Sequence, residues 1–325
     1  MPDVVTITTG TAGAAGNTVN DLQTYFAANL LKVAERTTVL KQFGVLAPIP
    51  PGSSKTIAFV RLEKFAVATT PTQLTEAVTP DATPLSYSQF TAVAEQYGFL
   101  VKISDLASLT AKHPVIQAAM YNMGLHAAEI YDILIFNVLD ATTNVYRPQG
   151  ATVDTGLTKD HKVTYKDLVN INAGLKDNAA RPVRTGAFAF VTPPQVYASL
   201  LLDPDFKASA QFKEPEMIWR GYVTSLAGFS IVETNSPAFN AKTQATSGFA
   251  NRFYSSFAIG ENAFQVSDLQ NLEVIVTPPG GQGDGLKQRT LIGYKFAVKA
   301  KITEPASGFW MELVRSAGND SANNA

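Results

Sequence analysis

The sequence predicts an α+β protein built around one long helix, with two elements that project from its body. Three observations carry this. Apolar residues recur at helical spacing without a break from Val115 to Leu139. The run from Leu291 to Thr303 alternates, with Ile292, Tyr294, Phe296, Val298, Ala300 and Ile302 on one side and Lys295, Lys299 and Lys301 on the other. Between about residues 163 and 270, strand and helix patterns interleave.

Residues 1–19 are rich in Gly, Ala, Thr and Asn without periodicity and read as an N-terminal arm. Asn20 or Asp21 can cap a helix running to about Gln42, where Gly44 supplies the stop. Pro48, Pro50 and Pro51 then force an extended connection. Two strand-like runs follow, Lys55 to Phe65 and Thr91 to Ile103. In the first, Ile57 and Phe59 share one face, and Ala58, Val60 and Leu62 the other. The roughly 25 residues between the runs far exceed a hairpin loop, so the two are expected to pair as one long arm with a broad tip. Such a projection cannot bury both faces against its own domain.

Ser104 caps a short helical turn, and Pro114 suits the first position of the long helix, which ends near Asp140 at about 40 Å. Thr164 caps a helix holding Leu168, Ile171 and Leu175, with Asp167 at its positive end. Ala187 to Val191 reads as a buried strand, and Thr192-Pro193-Pro194 opens a helix through Leu202. Phe229–Glu233, Phe253–Ile259 and Leu272–Val276 are further strands, and the residues after about Ser316 form a polar tail.

Charge is scarce. The 325 residues include 26 Lys+Arg and 27 Asp+Glu, so 16% are charged against about 25% in typical domains. A compact monomer of this mass would expose on the order of 13,000 Å². The shortage implies that partner chains cover part of that surface. A net charge of −1 argues against binding nucleic acid through a broad basic surface. The absence of cysteine removes disulfides, thiolate metal sites and cysteine nucleophiles. The start lacks the pattern of a secretory signal and the most apolar stretch, Ile130 to Leu139, is too short to span a bilayer, so a soluble, cytoplasm-made protein is expected.

No catalytic, cofactor or metal site emerges. Gly280-Gly281-Gln282-Gly283-Asp284-Gly285 lacks the spacing of a phosphate loop and reads as a turn. His113 precedes the helix-starting Pro114, His126 can pair with Glu129 one turn on, and His161 lies in a charged loop. Asp203 and Asp205 flank Pro204, and Glu214 and Glu216 flank Pro215, as in helix ends and loops rather than acid dyads. The three lysines of the last long strand read as a solvated face or as intersubunit ion pairs.

Several local sequences resemble one family. They are Leu74-Thr75-Glu76-Ala77-Val78-Thr79-Pro80, Gln96-Tyr97-Gly98-Phe99 leading into Ile103-Ser104-Asp105, and Glu214-Pro215-Glu216 through Gly221. Gly228-Phe229-Ser230-Ile231-Val232-Glu233-Thr234, and Gln288-Arg289 followed by Gly293-Tyr294-Lys295, complete the set. Their order and the element order resemble the Hong Kong 97-type major capsid proteins of tailed bacteriophages, in the branch similar to the coliphage N-four group.

The resemblance implies an N-terminal arm at 1–51 and an extended hairpin loop at 52–103. A peripheral domain would comprise 104–162 and 271–325, and an axial α/β domain 163–270. It implies a head protein that self-assembles, as pentamers and hexamers, into an icosahedral shell around double-stranded DNA without reading its sequence. Separate scaffold, portal and decoration proteins are possible partners, and the location is the virion, after assembly in the host cytoplasm. No membrane, cofactor or catalysis is expected. Only about twenty residues precede the first helix, so no fused scaffold is expected, and no Lys–Asn pair stands out for a covalent crosslink. Arg61, Glu63, Lys64, Glu76 and Tyr97 are the candidate intersubunit contacts. The competing readings are an encapsulin-like nanocompartment shell and a soluble α/β enzyme.

Overall fold

The computed structural model describes residues 39–48, 55–62, 65, 73–74, 76, 78–79, 82–110, 115–183, 186–206, 225–239, 242–243, 252–279, 285–303 and 310–319. Strands β1 (Val45–Leu46), β2 (Thr56–Leu62), β3 (Tyr87–Val93) and β4 (Glu95–Ser104) precede helices α1 (Asp105–Thr110) and α2 (Val115–Asp140). Next come β5 (Val145–Tyr146), α3 (Tyr165–Asp177), β6 (Phe188–Thr192) and α4 (Pro194–Leu202). Strands β7 (Ser225–Leu226), β8 (Phe229–Glu233), β9 (Lys242–Thr243), β10 (Arg252–Ile259), β11 (Phe264–Thr277), β12 (Arg289–Ile302) and β13 (Met311–Ala317) follow.

Three sheets form. The first has the order β1-β11-β12-β4, with β1 parallel to β11 and the other pairs antiparallel. The alternation of β12 places Ile292, Tyr294, Phe296, Val298 and Ala300 in the core. Helix α2 buries Met123, Ala127, Ile135, Phe136 and Leu139 in the same cluster. Phe136 meets Phe239 and Phe257 edge-on, with centroids 5.0 and 5.3 Å away, a favoured aromatic geometry.

The second sheet runs β5-β13-β10-β6-β8-β7, with β9 beside β10. Its two faces serve two cores. Ala189, Val191, Phe257, Ile259 and Leu313 point toward α2, whereas Phe188, Phe190, Ala258 and Val314 point toward α3 and α4. Period-two alternation therefore welds both halves of the molecule through one sheet. Helix α3 starts at a full capping box. The Thr164 N–H donates to Asp167 Oδ2 at 2.9 Å, and the Asp167 N–H donates to Thr164 Oγ1 at 3.4 Å.

The third sheet is the ribbon β2–β3, and here the expected pairing is corrected. The run from Thr91 to Ile103 does not pair as a whole with β2. It divides at Ala94: β3 pairs with β2, and β4 pairs over its length with β12. The physical reason is that Tyr97, Val101 and Ile103 have an apolar face that the α2 core can bury. The ribbon strand on that side begins earlier, at Tyr87.

Two other features differ from expectation. Met311–Ala317, which the sequence did not mark as an element, is a strand of the second sheet that runs up to the polar tail. The helix expected to end at Gln42 lies outside the described residues up to residue 38, and Leu40–Phe43 forms a single 3-10 turn.

Candidate assembly surface

The ribbon is the element that least resembles part of a self-contained domain. Its register, Thr56 opposite Val93 through Leu62 opposite Tyr87, sorts side chains onto two faces. One face holds Ile57, Phe59, Phe90 and Ala92, and Phe59 stacks on Phe90 with centroids 5.3 Å apart. The other face is open, with Val60 65%, Leu62 56%, Tyr87 62% and Val93 42% exposed. Phe65, Leu74, Val78 and Leu85 are also exposed. A contiguous apolar surface on a projecting strand pair marks an interaction site.

The candidate contact residues are not all gathered there. Arg61 sits in β2 opposite Ser88, and its side chain lies outside the described residues, as do Glu63 and Lys64. Glu76 is exposed in a turn between Leu74 and Val78. Tyr97 lies in β4 within the first sheet, not on the ribbon. Its hydroxyl donates to Glu95 Oε2 at 2.6 Å and its ring tilts against Phe296 at 5.9 Å. Burial first, and the Glu95 bond second, push the Tyr97 hydroxyl up to about 12. The Tyr97 bond, then Lys299, hold the Glu95 carboxyl below its usual range.

Two of the three lysines on the outer face of β12 pair within the chain. Lys299 pairs with Glu95 at 3.2 Å and Lys295 with Glu273 at 3.5 Å. Both pairs bridge neighbouring strands, and exposed pairs of this kind contribute at most about 1 kcal/mol. The outer half of β11 is different. Leu272, Val274, Ile275 and Val276 are 40–49% exposed, so both faces of this stretch are open.

The side chains weighed for catalysis are structural where they are described. His126 meets Tyr294 rather than Glu129, with Nδ1 2.8 Å from the phenolic oxygen and the ring 4.8 Å from Phe99. His161 Nδ1 accepts from the Thr158 N–H at 3.0 Å. Asp203 accepts from the Tyr165 N–H at 2.6 Å and so serves the start of α3. His113, Glu214, Glu216 and residues 280–284 lie outside the described residues. Among the described residues no three His, Asp or Glu side chains cluster as metal ligands, and no helix is long and apolar enough to cross a membrane.

Sequence reasoning missed a buried charged group. Asp140, at the end of α2, accepts from Ser255 Oγ at 2.8 Å and pairs with Arg315 at 3.4 Å. Arg315 also pairs with Asp154, whose Oδ1 is 2.7 Å from Arg147. The alternation of Met311, Leu313 and Arg315 against Glu312 and Val314 was the available signal.

The family described as "Phage capsid protein" matches residues 88–309. The chain belongs to the phage capsid protein family. It is a shell-forming major capsid protein, and its fold is the Hong Kong 97 type.

Solved capsid structures agree in fold. The capsid of cyanophage P-SCSP1u superposes with a TM-score of 0.67 at 16% identity, covering 93% of this chain and 95% of that one. The cyanophage Pam1 capsid gives 0.69 at 12% identity over 94% and 100%. The acid-stable capsid of Helicobacter pylori bacteriophage KHP30 gives 0.68 at 10% identity over 94% and 98%. No curated protein matches the chain in sequence. Within the capsid protein match lie β4, α2 and both strands of the β11–β12 pair, along with Ser88–Val93 of the ribbon.

Proposed function

We propose that this capsid protein assembles with copies of itself, as pentamers and hexamers, into an icosahedral shell that encloses phage double-stranded DNA in the virion, after assembly in the host cytoplasm. The observation that carries the reading is the open apolar face of the ribbon: Val60, Leu62, Tyr87 and Val93, exposed among the described residues. A neighbouring copy is the occupant that a closed shell supplies at every position, because each subunit both gives and receives the same contact. Main-chain pairing along the ribbon and apolar burial hold it without a covalent bond.

The division into an arm (1–51), extended loop (52–103), peripheral domain (104–162 and 271–325) and axial domain (163–270) belongs to the same proposal, with one refinement. Strand β4 works with the peripheral sheet, and β5 and β13 complete the sheet of the axial domain. Arg61, Glu63, Lys64 and Glu76 would set the register of the ribbon on its neighbour, and Tyr97 would act through β4. The branch similar to the coliphage N-four group is part of the reading. So are a role without catalysis, a DNA lining that reads no sequence, and separate scaffold, portal and decoration proteins as partners.

Substituting Val60→Asp and Tyr87→Asp together tests it. The expected result is folded protein, with unchanged circular dichroism, that elutes as free subunits or capsomers where the parent forms particles in electron micrographs. Particles of normal yield and heat stability from the double variant would overturn the ribbon contact.

A further inference from the structure

Residues 39–47 are fastened to the body at separate points. The Leu40 N–H donates to Asp132 Oδ1 of α2 at 3.0 Å, and the Leu40 side chain is fully buried. Lys41 pairs with Asp268 of β11 at 3.3 Å and lies 4.4 Å above the Tyr131 ring. The Ala47 N–H donates to the Val266 carbonyl at 2.9 Å. A cavity of about 220 Å³ opens between these points, lined among others by Lys41, Tyr131, Asp132, Asp268 and Phe296.

Asp132 is the anomaly in this arrangement. It is 2% exposed in the middle of an apolar helix face, next to Ile135 and Phe136 in the buried set. Its second oxygen, Oδ2, has no partner within hydrogen-bonding geometry, and neither does the neighbouring Ser236 hydroxyl. A buried ionised carboxylate with one oxygen unsatisfied is costly, whereas a neutral carboxyl offers one donor and keeps an acceptor. The neutral form suits this place: Oδ1 holds the Leu40 N–H, and protonation removes the charge from an oxygen that finds no partner.

We propose that Asp132 is a proton-operated latch on residues 39–47, closed while the carboxyl is neutral and loosened when it ionises. Burial raises the Asp132 carboxyl above the usual carboxylate range, against the opposing pull of Ser236 and the Leu40 and Val39 N–H groups. The charged and titratable groups around it do not reverse this. Lys41, from the fastened segment, is half exposed and engaged with Asp268. Asp268, from β11, is engaged with Lys41 and with the Tyr131 hydroxyl. Tyr131, from α2, donates a hydrogen bond to Asp268 at 2.6 Å. The sign follows from linkage. A carboxyl whose docked pKa is raised stabilises docking below the ordinary carboxylate range, and that stabilisation is lost as pH rises through the docked value.

Hydrogen–deuterium exchange of a peptide spanning residues 39–47 in the full-length protein tests this, with rates corrected for intrinsic exchange from pH 4 to 9. Protection should fall by up to roughly tenfold per pH unit above the ordinary carboxylate range, then level off once the docked carboxyl is ionised. A peptide from α3 serves as the control and should show no such change. Asp132→Asn keeps the shape and neutral hydrogen bonding, and should hold protection constant across the range. Ser236→Ala removes a group that pulls against burial and should carry the fall on to higher pH. Protection in the parent protein that does not depend on pH would overturn the latch. So would the same fall in Asp132→Asn, or, should that variant not fold, an unmoved fall in Ser236→Ala.

Discussion

Phe59 and Phe90 face each other across the ribbon, with ring centroids 5.3 Å apart and planes 30° from parallel. They sit at directly opposed positions of the β2–β3 register, so their stacking pins the pairing of the two strands. Neither residue belongs to the two cores of the body. Phe90→Ala should therefore open the ribbon locally, costing about 1 kcal/mol of pairing. The global unfolding midpoint should stay unchanged. Hydrogen exchange at Tyr87–Val93 alongside a thermal melt checks it. A lowered melting temperature with normal ribbon exchange would show that the pair serves the body instead.

Much of the body was legible because each element had one strong local signal. The capping box at Thr164 and Asp167, the α2 stripe and the alternation of β12 all specify structure through near neighbours. The division of the Thr91–Ile103 run was not legible. Both halves alternate, and only the long-range choice between β2 and β12 as a partner separates them. Asp132 and Arg315 escaped notice for the same reason: their partners, Leu40 and Asp140 with Asp154, are distant in sequence. An open face on the projecting arm was anticipated from alternation and from the long separation of the two runs, but which charges lie against a neighbour cannot be read from one chain's pattern.

The motif beginning at Gly228 has a local cause. Ala227 and Gly228 both have positive φ, 51° and 83°, in the tight turn joining β7 to β8. Such turns favour glycine because a Cβ is strained there. A Cβ at Gly228 would also lie 2.4 Å from Asn172 Nδ2, the amide that donates to the Ala227 carbonyl at 2.6 Å. Gly228→Ala should lose that bond as well as strain the turn, destabilising the protein by about 1 to 3 kcal/mol. Urea unfolding measures it. A change below about 0.5 kcal/mol would mean the turn relaxes freely.

Arg315 holds the end of α2 to β13 through Asp140, and to the loop before α3 through Asp154. Removing the guanidinium takes a cation from Asp140, which Ser255 still serves, while Asp154 keeps Arg147. Arg315→Met should cost about 3 kcal/mol, because breaking one side of a largely buried ion pair leaves the carboxylate less well compensated. Adding Asp140→Asn to that variant should recover part of the loss, since it removes the charge that Arg315 had compensated. Denaturant midpoints of the two variants decide the matter, and a double variant no more stable than Arg315→Met would refute the coupling.

Glu312 gives the sheet a pH dependence of its own. It stands opposite Ala258 in β13, on the face that meets the α3 and α4 core, and burial pushes its carboxyl up to about 7. The fold therefore binds this proton more tightly than the unfolded chain does. Stability from this group is complete below the ordinary glutamate range and is lost as pH rises through about 7. Glu312→Gln keeps the neutral shape, so it should remove that loss and gain on the order of 2 kcal/mol at pH 8 relative to the parent. At pH 4 the two proteins should differ little. Denaturant titrations at several pH values test this, and curves that run parallel from pH 4 to 8 would show that Glu312 finds solvent or a cation when it ionises.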